Sequence, residues 1–98
     1  MNTLTFQMFE ADARAEGFDE VLERQWAPLT VLDTHVHAFA VKAIVVSGEM
    51  WLMQGETTRH LRTGDTFELD HGVPHAERYG AAGAVYWVAR RSAGPTPA

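Results

Sequence analysis

Closely spaced turn residues divide most of this chain into short apolar segments, and this spacing limits the possible folds more than any other feature. From Asp19 to Arg90, short apolar segments alternate with glycine, proline and aspartate. Such spacing indicates β-strands that fold back on one another, because βαβ units place longer helical segments between their strands. The sequence therefore predicts an all-β sandwich or small barrel of roughly eight short strands.

The turn residues set the bounds of the predicted strands. These strands are Glu20 to Trp26, Leu29 to His37, Val41 to Val46, Glu49 to Met53, Thr57 to Leu61, Thr66 to Leu69, Pro74 to Tyr79 and Ala84 to Arg90. We interpret Ser47-Gly48 as a tight turn between the third and fourth strands, since glycine tolerates turn conformations. Gln54-Gly55-Glu56 is interpreted as a second hairpin turn.

A short amphipathic helix is predicted ahead of the strands. Phe6, Phe9 and Ala13 recur at helical spacing within Thr5 to Glu16, and Gly17 stands where the helix would end. The sequence leaves open whether this helix covers one end of a barrel or lies across a partner subunit.

The length and composition are typical of one domain. The chain has 98 residues, 46% of them hydrophobic, and no cysteine, so packing rather than disulfides must hold the fold. We expect residues 1–18 to form an N-terminal helical segment and residues 19–91 a β-barrel. Residues 92–98 contain two prolines and no large apolar side chain, which predicts a mobile tail.

The charge and hydropathy argue against two classes of partner. The formal net charge is −5 and the only lysine is Lys42, whereas nucleic-acid binding needs clustered cations. Arg90 and Arg91 are adjacent, and we interpret both as a solvated strand end. No apolar run is long enough to span a membrane, and no signal peptide is evident at the first residues. We expect a cytoplasmic protein without nucleic-acid or membrane partners.

Three histidines are candidate metal ligands. His35 and His37 are two positions apart, so on a β-strand their side chains leave the backbone on the same side. His75 follows enough β segments to fold back over them. Because the chain has no cysteine, a metal must be bound by histidine, carboxylate or water, and three convergent imidazoles would form such a site. His60 and His71 are interpreted as ordinary residues outside it.

Two motifs surround these histidines. The first is an HxH strand leading to a glycine turn, here His35-Val-His37 followed by Val41 to Gly48. The second is a GD…PxGxxH strand, here starting at Gly64-Asp65 and ending in Gly72-Val-Pro-His75. With these motifs, the span from Thr34 to Arg90 resembles a small single-domain cupin. The resemblance implies a cupin jelly-roll barrel, or double-stranded β-helix, with the three histidines facing the interior, and commonly a homodimer.

The chain departs from the cupin pattern at one ligand. In metal-binding cupins, three or four residues usually separate the second histidine from a glutamate, a position held here by Val41 or Lys42. With three neutral ligands, a bound ion would keep its full positive charge, which would make its bound water more acidic and attract anions. Three-histidine sites are established for zinc, and the resemblance implies that nickel, iron or manganese could also be bound.

Three residues are candidates for catalysis: Glu77, Tyr79 and Asp33. Asp33 has the strand parity of His35, and Glu77 that of His75, so both carboxylates face inward if no bulge intervenes. Each could act as a fourth ligand, as an acceptor that orients an imidazole, or as a general base. The alternative is an ordinary carboxylate near the mouth, solvated or paired with an arginine.

Two classes of function follow from these residues. In the first, the protein is a metal-dependent enzyme that oxygenates, isomerises or hydrolyses a small polar molecule. In the second, it is a non-catalytic small-ligand-binding or sensing module, resembling the effector-binding cupin half of AraC-type regulators without their DNA-binding half. The missing glutamate favours the second class and the three histidines favour the first. We therefore expect a metal-binding cupin of unassigned activity. Trp51 and Met53 are candidates for lining a pocket or a dimer surface.

Overall fold

The structure is a computed structural model and describes residues 4–92. One helix precedes six strands, and these elements are α1 (Phe6–Ala15), β1 (Glu20–Trp26), β2 (Val31–His35), β3 (Phe39–Gln54), β4 (Thr57–Arg62), β5 (Thr66–Leu69) and β6 (His75–Ser92). All strand pairs are antiparallel, in the order β1-β6-β3-β4, with β2 also paired to β6 and β5 to β3. The predicted all-β fold is confirmed. Within the described residues, no helix combines the length and apolarity needed to cross a membrane.

The two long strands replace four short predicted ones. The turn predicted at Ser47-Gly48 is wrong, because β3 runs through these residues without reversing direction. Gly48 has φ +76°, and the pairing with β6 shifts register on both sides of it. β6 likewise contains both of the last predicted strands and passes through Gly83 at φ +72°. Gly48 and Gly83 therefore lie at bulges within strands and not in turns between strands.

These bulges turn the strands around a single interior. The core-facing residues of β3 are odd-numbered before its bulge and even-numbered after it: Val41, Ala43 and Val45, then Met50 and Leu52. A Cβ atom on Gly48 would overlap the carbonyl oxygen of Gly83, so the two strands approach too closely for a side chain. A strand that bends at a bulge can line both walls of a sandwich. The core-facing side chains of both halves thus belong to one cluster.

The shorter strands mostly follow the sequence. β1 and β5 have the predicted bounds, and β4 starts at the predicted Thr57 and ends one residue late at Arg62. β2 is shorter than predicted and begins at Val31, two residues after Leu29. Leu29 has φ +60°, an unusual conformation for a non-glycine residue, which interrupts extended backbone before the strand.

The helix packs on the outer face of its own sheet. Phe9 and Ala13 cluster with Phe18 and Ala89. Ala89 is on the opposite side of β6 from the core residue Val88, because successive strand residues face opposite sides. The helix therefore covers neither the interior nor an end of the barrel.

The end of β6 overlaps the predicted tail. Ser92 is the last residue of the strand and is paired with Phe39. Residues 93–98, the rest of that predicted tail, lie outside the described residues. The three-part division of the chain stays a prediction.

Candidate metal centre

The structure brings together the three histidines selected from the sequence. His35 is the last residue of β2, and it lies opposite His75, the first residue of β6. His37 follows two residues later, and the ring centroids lie 4.3 Å apart for His35–His75, 4.9 Å for His35–His37 and 5.1 Å for His37–His75. One nitrogen from each ring lies within 4.8 Å of the other two. This separation allows one ion to contact all three.

Backbone carbonyls orient two of the rings. Nδ1 of His35 lies 2.7 Å from the carbonyl oxygen of Asp33, and Nδ1 of His75 lies 2.9 Å from that of Val73. A carbonyl only accepts hydrogen bonds, so each Nδ1 carries the proton and donates it. In a neutral ring, this leaves the Nε2 lone pair free, which is the arrangement found in metal-bound histidines.

The surroundings of His37 favour its neutral form. Burial is the main cause that lowers the pKa of His37 below 6.5, and the neighbouring His75, His35, Arg90 and Arg24 lower it further. A neutral imidazole does not have to release a proton before it binds a metal. The histidine cluster is therefore suited to a cation by its position and by its protonation.

Glu77 supplies a carboxylate next to these rings. The residue is only 5% exposed, and its Oε2 lies 3.5 Å from Nε2 of His35 and 4.0 Å from Nε2 of His75. The inward orientation predicted from strand parity is found, since the extra residue at the β2–β6 bulge lies in β2, and β6 itself is continuous from His75 to Glu77. At the positions where cupins usually carry their glutamate, Val41 lines the interior cavity and Lys42 forms a 2.6 Å ion pair with Glu16.

Tyr79 holds Glu77 in place. Its hydroxyl donates a 2.7 Å hydrogen bond to Oε1 of Glu77, and its ring stacks on Trp26 at 5.2 Å. Burial raises the pKa of Tyr79 above its ordinary value of 10, and Tyr86 and Glu77 raise it further. Tyr79 therefore stays protonated as a hydrogen-bond donor to Glu77, and its part in proton transfer stays a prediction.

Asp33 does not share the inward orientation that strand parity predicted. Its side chain is exposed, because the pairing of β2 with β6 shifts register between Leu32 and His35. Leu32 packs against the core and His35 joins the cluster, although they are three positions apart. Strand parity predicts the side of a residue only in an unbroken strand, and the bulge interrupts β2 between Leu32 and His35. Asp33 contributes its carbonyl oxygen to the site instead.

The other two histidines lie outside the cluster. Nε2 of His60 is 2.8 Å from Oε2 of Glu49, and the His60 ring stacks on Trp51 at 4.5 Å. His71 is exposed beside Asp70. Trp51 thus lies on the outer surface of the sheet, away from the interior cavity.

A small cavity adjoins the histidine cluster. Its volume is about 30 Å³, and its lining consists of His37, Phe39, Val41, Phe67, Leu69, His75, Glu77, Tyr86, Val88 and Arg90. This volume is enough for about two water molecules. A wider cleft of about 480 Å³ borders the same Phe39 and Arg90 from the outside. Only a small group can therefore enter this cavity.

Arg90 is a further residue of this cavity. Arg91 is exposed as expected, but the interpretation of Arg90 as solvated is wrong, because Arg90 lines the cavity and its Nε is buried. Its position could have been found from the sequence. Arg90 has the strand parity of the apolar Tyr86 and Val88, which predicts an inward orientation.

Comparisons with known proteins place the fold. No protein-family model matches the chain, and neither does any curated protein. An RmlC-like cupin from Shewanella frigidimarina is 18% identical, with a TM-score of 0.64 over 74% of this chain and 66% of the other. The chain folds as a small cupin domain. The resemblance found in the motifs is thus confirmed at the level of the fold.

Two further solved structures that share this fold are enzymes. A chain from the crystal structures of the DMSP lyases RdDddP and RnDddQII is 25% identical, with a TM-score of 0.68 over 76% of this chain. Oxalate oxidase in complex with the substrate analogue glycolate is 23% identical, with a TM-score of 0.64 over 78% of this chain. The chain spans only 38% of the DMSP lyase chain and 43% of the oxidase chain.

Proposed function

We propose that this cupin binds one divalent metal ion through His35, His37 and His75 and acts as an enzyme on a small polar molecule. The observation that supports the proposal is the convergence of three imidazoles, two of them with Nδ1 bonded to a backbone carbonyl. The Nε2 atoms of neutral His35 and His75 carry lone pairs and no proton, so these atoms cannot hydrogen-bond to each other. A cation supplies a partner for both atoms. Zinc, nickel, iron and manganese all accept imidazole ligands.

The cluster's residues have separate roles in this proposal. When bound, the ion would polarise a substrate oxygen or make a bound water more acidic. Glu77 is the group placed to accept a proton, because its carboxylate is buried and adjacent to two of the histidines. Tyr79 keeps the carboxylate oriented through its hydrogen bond. The side chain of His35 is 30% exposed, so the site is open to solvent on one side.

The similarity to enzymes supports catalysis rather than sensing. Lyase and oxidase structures share the fold, although this chain covers less than half of each. The non-catalytic sensing function remains the alternative, supported by the apolar Val41 where a glutamate is usual. A homodimer and a cytoplasmic location are part of the proposal and rest on the sequence.

Elemental analysis of the purified protein tests the metal site. We expect a near-stoichiometric divalent ion in the wild type, and loss of most of it in His37→Ala and in His75→Ala. His60→Ala is the matched control, because it removes an imidazole outside the cluster and should retain the ion. Circular dichroism verifies that each variant folds. A wild type without bound metal after gentle purification, or unchanged metal in His37→Ala, would contradict the proposal.

Turnover separates the enzyme from the sensor. The metal-loaded protein is incubated with a panel of small polar acids and alcohols, and products are followed by NMR. If the enzyme proposal is correct, a product forms, and Glu77→Gln removes most of its formation while retaining the metal. A compound that raises the melting temperature without being converted would support the sensor instead.

A further inference from the structure

Arg90 carries an unused hydrogen-bond donor at the wall of the interior cavity. Its Nη1 donates to Oε1 of Glu20 at 3.0 Å, and its Cζ lies 4.8 Å from the centre of the Phe39 ring. Its Nε is fully buried and has no hydrogen-bond partner among the residues that the structure describes. A buried N–H without an acceptor is unfavourable, and such a group requires an explanation. One explanation is that a ligand supplies the acceptor.

Two arginines, Arg90 and Arg24, lie close enough to His37 in the cavity lining to act on it electrostatically. Arg24 has the strand parity of Leu22 and Trp26, which pack against the core, so it extends to the same side of β1. Its guanidinium lies 4.8 Å from the Trp26 ring, and no carboxylate of residues 4–92 lies within salt-bridge distance of it. Both arginines act on His37 with a repulsive positive charge. Glu77 is the one acidic residue in the cavity lining.

The size of the cavity suits a small group. About 30 Å³ leaves space for about two water-sized atoms, which matches the two oxygens of a carboxylate. Carboxylate oxygens also form strong, charge-assisted hydrogen bonds with the guanidinium of arginine.

We infer that the ligand of this cavity carries a carboxylate group and that the Nε–H of Arg90 binds it. The inference deepens the proposed function and rests on it in one respect, which is that the ligand is the substrate of the histidine site. The remainder of the ligand would extend past Phe39 and Arg90 into the wider cleft. Arg90 is thus a substrate-binding residue that determines specificity for acids.

NMR titration with sodium acetate tests the inference directly. The ¹⁵N-labelled protein is prepared both zinc-loaded and zinc-free, and the Arg90 Nε–H signal is assigned by its absence in Arg90→Lys. Acetate should shift this signal in the zinc-loaded protein, whereas acetamide, a neutral molecule of similar shape, should not. Ionic strength is held constant with sodium chloride, so that general screening does not differ between samples.

Variants distinguish the contribution of the Arg90 Nε–H to acetate binding from the contributions of the other contacts of Arg90. Arg90→Lys keeps the positive charge but lacks the planar donor group, and we expect acetate binding to weaken by about tenfold or more. Arg90→Gln should weaken it at least as much. Glu20→Gln is the matched control, because it removes the Nη1 partner outside the cavity and should leave acetate binding within about twofold.

The outcomes distinguish this inference from the proposed function. Equal acetate affinity in the wild type and in Arg90→Gln would overturn the inference, and so would an Arg90 signal that does not move in either form. Neither result affects zinc binding, which is measured separately. If the wild type binds no zinc, the metal proposal fails, while an acetate-dependent shift of the Arg90 signal in that protein would still support carboxylate binding.

Discussion

The protein should lose stability in alkali before Tyr79 ionises. Tyr79 and Tyr86 are its only tyrosines, and burial raises the pKa of both above the ordinary value of 10. The negative charge of Glu77 raises both further. Above pH 10 the unfolded chain loses its phenolic protons and the folded protein keeps them. Stability therefore falls as the pH rises, because the folded state binds more protons.

The size of this effect follows from the proton that Tyr79 retains. A tyrosine that stays protonated in the folded state lowers the free energy of unfolding by about 1.4 kcal/mol per pH unit above 10. A domain of this length has a free energy of unfolding of about 5 to 15 kcal/mol. At the lower end, Tyr79 alone would remove about half of this free energy over two units above pH 10, and Tyr86 acts in the same direction.

Parallel pH titrations check this prediction. Tyrosinate absorbance and the circular dichroism of the strands should change together, in one cooperative transition. In Tyr79→Phe, the loss of unfolding free energy per pH unit above pH 10 should be smaller by about 1.4 kcal/mol. A tyrosine that titrates near pH 10 while the circular dichroism stays native would refute the reasoning.

Three substitutions test the packing, each by urea denaturation. Met50→Ala removes a fully buried side chain and should cost about 2 to 5 kcal/mol, and a loss below about 1 kcal/mol would mean that the site collapses around it. Gly48→Ala should lower the free energy of unfolding by about 1 to 3 kcal/mol because of the positive φ of Gly48, and by more because of the contact with Gly83. A Gly48→Ala variant as stable as the wild type would contradict the bulge. Thr5→Ala removes the cap on the Met8 N–H and should cost about 1 kcal/mol, whereas Thr5→Ser should cost less.

The histidine cluster could be predicted from the sequence because its geometry depends on short-range parity and on two motifs. His35 and His75 lie opposite each other in neighbouring strands, as the motif spacing implied. Glu77 was found for the same reason, since the strand from His75 to Tyr79 is regular. Where no bulge intervenes, a period of two is sufficient to assign the inward face.

Bulges account for what the sequence did not show. A glycine with positive φ has the same sequence signature in a turn and in a bulge, so Gly48 and Gly83 could not be distinguished from hairpin turns. The bulge in β2 carries no glycine at all, and it reverses the side to which Asp33 points. Arg90 departs from its prediction for a different reason. A charged residue at a strand end is usually solvated, whereas the strand parity of Arg90 directs its side chain inward.

The concentration of the site on β6 has a consequence for the order of assembly. His75, Glu77, Tyr79 and Arg90 are all on this strand, which pairs with residues as distant in sequence as Glu20. Contacts between such remote segments form slowly, because the entropic cost of closing a long loop comes before any stabilising contact is made. A metal ion is therefore expected to bind the finished barrel and not to nucleate it. Its addition should slow unfolding and leave the refolding rate unchanged.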